Sequence, residues 1–162
     1  MAQLTAKERQ LLNDQKSHEE ICIQKYQKYA SQANDPQLKQ LFQSYSQQEQ
    51  QHLNTINSIL NGLTPAMNQA QQQGQQQQSQ SGLQSSAQAQ GAKTNANPAD
   101  AMLCNDMLMT EKYVSGAYDT AIFEFTDTNV RQALNHIQKE EQEHGEGIYN
   151  YMNSNGMYNV SQ

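Results

Sequence analysis

The chain has 162 residues, enough for one sizeable core, with 35% hydrophobic residues, 7% aromatic and no Trp. A formal net charge of -6 and a pI near 5.1 leave no basic face, which argues against nucleic acid as a partner. No apolar run is long enough to cross a bilayer, and MAQLTAKERQLLNDQKSHEE has no signal-peptide apolar core, so no membrane partner and synthesis in the cytosol are expected.

Four stretches carry helical periodicity, and the predicted class is all-α. The first runs from about Thr5 to Ala33. The second opens at Asp35-Pro36, a good N-cap followed by a proline suited to the first helical position, and stops at Asn61-Gly62. Between Thr64 and Pro98 the chain is almost all Gln, Ser, Ala, Gly and Asn, with Lys93 as its one charge. Such a stretch cannot bury a core of its own and reads as a linker. The third helix opens at Asn97-Pro98 and runs to about Phe125. The fourth opens near Asp127 or Thr128 and ends at Asn155, with Gly156 as its stop. Each helix is roughly 26–29 residues, or about 40 Å long, and matched lengths of this order point to a four-helix bundle.

The two flanks of the linker repeat each other. At an offset of 92 residues, Asn13-Asp14 falls on Asn105-Asp106, Glu19 on Glu111, Tyr26 on Tyr118 and Asp35 on Asp127. Glu49 falls on Glu141, His52 on His144 and Ile56 on Ile148. The organisation expected is therefore a helical hairpin over 1–63, a crossover linker over 64–98 and a second hairpin over 99–158, together one domain. The linker is long enough to run the length of the bundle and make the second and third helices parallel. A shorter antiparallel path is also open.

The polar residues on the apolar stripes carry the chemistry. The fourth helix reads Leu134, Ile137, Glu141, His144, Ile148, Tyr151 down one face; the second reads Phe42, Tyr45, Glu49, His52, Ile56, Ile59. The first and third helices each place a single Glu, Glu19 and Glu111, at the middle of their stripes. Each of the four lies 15 residues from its hairpin turn, so all four meet at one level. Unpaired, buried charges of this kind cost several kcal/mol each. Two divalent cations, iron or manganese, would neutralise them. A Glu from each of two helices plus Glu-x-x-His from the other two is the ligand set of di-iron and di-manganese carboxylate bundles of the ferritin-like class. The metal ligands read from sequence are Glu19, Glu49, His52, Glu111, Glu141 and His144.

Tyr26 and Tyr118, one heptad from Glu19 and Glu111, read as core residues hydrogen-bonded to the site. His18, Glu20, Glu140 and Glu143 lie off the stripes and read as solvated, and His136 is also off the stripe. Met102, Met107 and Met109 read as packing residues rather than ligands. Asp14 and Asp106 are candidates for orienting a ligand from behind. Cys22 and Cys104 read as small buried residues and form no disulfide framework.

Asp106-Met-Leu-Met-Thr-Glu-Lys112-Tyr113, Tyr118-Asp-Thr-Ala, Asn129-Val-Arg131, Glu141-x-x-His144 and Tyr151-Met152 with Gly156-Met157-Tyr158 together resemble the coat F family of bacterial spore coat proteins. The resemblance is clearest from about residue 100 to 158, and Met157 stands where such proteins commonly carry Trp. It implies a ferritin-like helical protein made in the mother-cell cytoplasm and deposited on the spore coat. Other spore coat proteins would be its partners, with a homo-oligomer also open. The function expected is a spore coat component on a ferritin-like scaffold with a dinuclear Fe/Mn site. The alternative is a dimetal oxidoreductase acting in manganese catalase-like peroxide disproportionation or as a ferroxidase. Whether the protein is an enzyme is left open by the sequence.

Overall fold

The computed structural model describes residues 4–63 and 96–158. They form four helices: α1 (Ala6–Gln32), α2 (Pro36–Leu60), α3 (Pro98–Glu124) and α4 (Thr128–Ser154). Each start is fixed by a side chain that satisfies free N–H groups of the first turn. Asp35 accepts from Gln37 N at 2.8 Å, Asn97 from Ala99 N at 2.9 Å and Asp127 from Asn129 N at 2.8 Å. At α1, Thr5 and Glu8 bond each other's backbone N–H reciprocally, at 3.2 and 2.7 Å. Past the ends of α2 and α4 stand Gly62 and Gly156 at φ +80° and +67°, a conformation glycine adopts without strain. The four predicted helices thus fall within a residue or two of their observed bounds.

Neighbouring helices are antiparallel. Arg9, near the start of α1, reaches the Leu60 carbonyl at the end of α2, while Asp100, in the first turn of α3, meets Asn34 beyond the end of α1. Helices α2 and α3 therefore run parallel, and the connection between them joins opposite ends of the bundle. Of the stretch read as a linker, 64–98, only Ala96–Pro98 belongs to the described residues, and there Asn97 and Pro98 open α3. The path of the rest lies outside the described residues.

The core has three layers. One apolar cluster gathers around Leu12, Ile56, Tyr118 and Leu134, and a second around Tyr26, Phe42, Met107 and Ile148. Full burial of an aliphatic or Phe side chain contributes about 1.5–3 kcal/mol. Between them lies a buried polar layer: Glu19, Glu49, His52, Glu111, Glu141 and His144, none more than 2% exposed. Met107 packs as expected, but Met102 and Met109 are 74% and 64% exposed and take no part in packing. They lie on the outer side of α3, diametrically opposite its core stripe.

The two hairpins hold each other's turns. Asp100, 1% exposed, accepts from Asn34 N at 2.8 Å and Asp35 N at 3.0 Å, in the α1–α2 turn. Its repeat partner Glu8, 3% exposed, accepts from Thr126 N at 3.0 Å, in the α3–α4 turn. A buried N–H that loses a charged acceptor keeps its desolvation cost. Asp100→Ala and Glu8→Ala are each expected to lower the unfolding free energy by about 1.5–3 kcal/mol, read by chemical denaturation. An unchanged midpoint for both would remove these ties from the account.

Candidate metal centre

All six residues read from sequence converge in the polar layer. Their ligand atoms form two groups, Glu19–Glu49–His52–Glu141 and Glu49–Glu111–Glu141–His144, each with its atoms within 4.8 Å of one another. Glu49 and Glu141 belong to both. The two imidazoles stack, with ring centres 5.8 Å apart. His52 Nδ1 lies 3.1 Å from Glu49 and 3.2 Å from Glu141. His144 Nδ1 lies 3.2 Å from Glu49 and 3.6 Å from Glu111.

The other ring nitrogens are held from behind. His52 Nε2 meets Glu140 Oε2 at 2.8 Å, and His144 Nε2 meets Gln48 Oε1 at 2.9 Å. An Nε2–H donated to each acceptor would leave Nδ1 free toward the cluster, the tautomer a cation requires. Glu140 is therefore not a solvated residue: it is 8% exposed and also lies 3.5 Å from His136 Nε2. Its position, one residue before Glu141, carries it round the helix into the α2–α4 contact. Gln48 stands at the same place before Glu49, so the repeat offset pairs these two residues, a signal that stripe-reading alone passes over. Asp14 is exposed. Asp106 binds Lys25 at 2.7 Å and Tyr29 at 2.6 Å, tying α3 to α1 away from the cluster. Neither orients a ligand.

Tyr26 donates its hydroxyl to Glu111 and Tyr118 donates to Glu19, again related by the repeat. Tyr45 lies against His144, with ring centres 4.2 Å apart. Its hydroxyl reaches Gly147 so closely that a Cβ there would sit 1.8 Å away, and any larger residue would have to push the Tyr45 ring aside.

Burial raises the carboxylate pKa values, and for Glu19 and Glu111 it prevails: both are pushed well above the usual range, with neighbouring carboxylates adding to the shift. For Glu49 and Glu141 the neighbouring imidazoles of His144 and His52 outweigh burial, and both are lowered. Burial would lower the two imidazoles, but their carboxylate partners hold both well above the ordinary histidine value.

Hydrogen bonding within the protein does not satisfy this cluster. Glu19 Oε2, Glu111 Oε2 and both oxygens of Glu141 are buried with no hydrogen-bond partner. Four orphaned carboxylate oxygens aimed at one space, beside two imidazole nitrogens, fit a hard or borderline cation. These groups could hold a metal ion.

No curated protein matches the chain. Among solved structures, a two-domain protein from Anabaena variabilis ATCC 29413, containing DJ-1/ThiJ/PfpI-like and ferritin-like domains, matches with a TM-score of 0.67 at 16% identity. The match covers 95% of this chain and 38% of that one, and it carries the fold alone. Residues 99–161 match the family model of the Coat F domain. That segment is thus similar to the Coat F domain, and the bundle as a whole has a ferritin-like fold.

Proposed function

We propose that the protein is a spore coat component whose bundle core holds a dinuclear iron or manganese centre. Glu19 and His52 would serve one ion, Glu111 and His144 the other, and Glu49 and Glu141 both. The observation that carries this is the pair of overlapping ligand groups sharing Glu49 and Glu141, with four carboxylate oxygens left without partners. The coat assignment rests on the Coat F match, with deposition from the mother-cell cytoplasm and other coat proteins as partners. No helix among the described residues is long and apolar enough to cross a membrane.

When bound, such a pair of ions supplies redox chemistry toward peroxide or oxygen. The chain's own residues do the rest. Glu140 and Gln48 fix the imidazole tautomers, Tyr26 and Tyr118 hold Glu111 and Glu19 by their hydroxyls, and the apolar clusters exclude water from both ends. The oxidoreductase reading is compatible with the coat reading, and the open groove between α3 and α4 that reaches Glu111 and Glu141 favours it.

Protein expressed with iron and manganese supplied together should carry close to two ions per chain by mass spectrometry. Glu49→Ala/Glu141→Ala should carry none. An absence of metal in the parent would sink the centre and leave a coat protein with a polar core. Peroxide turnover by the manganese-loaded protein separates an enzymatic centre from a structural one.

Loading should release protons, because Glu19, Glu111, His52 and His144 all hold theirs to higher pH than usual. Affinity is therefore expected to rise with pH and fall as these groups reprotonate, which an indicator titration in weak buffer reads directly. Glu140→Gln should weaken metal affinity by about 10–100-fold, measured by chelator competition. Unchanged affinity would make the Glu140–His52 bond incidental.

A further inference from the structure

The bundle is nearly two-fold, and among the described residues the α3–α4 hairpin opens toward the polar layer. Between α3 and α4 runs a groove of about 650 Å³, open to solvent among the described residues, that reaches Glu111 and Glu141. Ser115 and Gly145 line its walls, and Lys112 and Glu146 stand among its exposed lining. A hollow between α1 and α2, lined by Gln27, Lys39, Gln43 and Ser46 among others, lies nearer the α1–α2 turn and touches none of the six residues.

The repeat locates the difference. Ser115 stands where the first hairpin has Ile23, and Gly145 where it has Leu53. Ile23 is buried, at 8% exposure, and Leu53 half-buried. Two branched aliphatic side chains thus occupy one hairpin at the positions where the other has a hydroxymethyl group and a hydrogen atom. A Cβ on Gly145 would meet only Leu108 Cδ1, at 3.8 Å, an ordinary contact. The glycine is therefore not required by backbone conformation or by close packing. What it provides is space.

We infer that the α3–α4 groove is the access route to the metal centre, kept open by Ser115 and Gly145. It would pass small species, a hydrated divalent cation on loading and a small uncharged oxidant afterwards. Lys112 and Glu146 put one charge of each sign on the outer lining, and the carboxylates Glu111 and Glu141 lie at its inner end. This rests on the metal-centre reading and adds the direction from which the centre is reached.

A plug in a route changes rates and leaves equilibria alone: uptake and release slow by one factor, and their ratio stays fixed. The test is Co(II) uptake by the metal-free protein, followed by its visible absorption, and Co(II) release to excess chelator. Gly145→Leu is expected to slow both at least tenfold, with stoichiometry and dissociation constant unchanged. Ser115→Ile, at the facing wall, should do the same. Leu53→Gly in the first hairpin should speed release by opening the closed side. A parent protein that binds Co(II) with unchanged rates in both plugged variants would overturn the route while leaving the centre intact. An altered dissociation constant in both plugged variants would overturn it too, because Ser115 and Gly145 would then shape the site rather than its approach. A parent that binds no Co(II) would fail the centre itself, and the route with it.

Discussion

Four carboxylates and two imidazoles share the middle of an apolar bundle, and their mutual electrostatics govern the rest of the molecule. Taken out of water, each charge costs several kcal/mol even after relaxation. Part of that cost is offset inside the chain: the carboxylates raise the pKa values of both imidazoles, the imidazoles lower those of Glu49 and Glu141, and burial pushes those of Glu19 and Glu111 up. Part is not, since four oxygens keep no partner.

Helix length and capping follow from that demand. The buried carboxylates lie at mid-helix, so the turns that fix their level are some 20 Å away at 1.5 Å per residue. Errors in register at the turns would reach the cluster undiminished. Buried carboxylates brace both turns, Asp100 for α1–α2 and Glu8 for α3–α4, each supplied by the opposite hairpin. Tyr26 and Tyr118 bridge the hairpins nearer the centre, and Lys25 with Tyr29 fastens α1 to Asp106.

Much of this was legible in the sequence because it depends on periodicity. Asp35-Pro36, Asn97-Pro98 and the two Glu-x-x-His units mark helix starts and core faces with residues that have few other reasons to be there. The convergence of Glu19, Glu49, Glu111 and Glu141 followed from equal distances to the turns. What escaped was set by contact between helices. Glu140 is off its own stripe and buried only because α2 brings His52 to it. Met102 and Met109 have core-like chemistry on the outer side of α3, where periodicity was diluted by a helix apolar nearly all round. Asp106 was drawn away from the cluster by Lys25, a partner on another helix.

The ties between the hairpins come in reciprocal pairs. Glu8 with the second turn mirrors Asp100 with the first, Tyr26–Glu111 mirrors Tyr118–Glu19, and His52–Glu140 mirrors His144–Gln48. A residue that contacts its counterpart's partner, and is contacted in return, is the signature of an isologous interface between identical subunits. In a homodimer of hairpins every such residue must serve both sides at once, so Glu140 and Gln48 could not differ, nor Gly145 and Leu53. Joining the two units in one chain removes that requirement. The asymmetry of this bundle, with one imidazole backed by a carboxylate, the other by an amide, and one flank open, is available only to a fused pair.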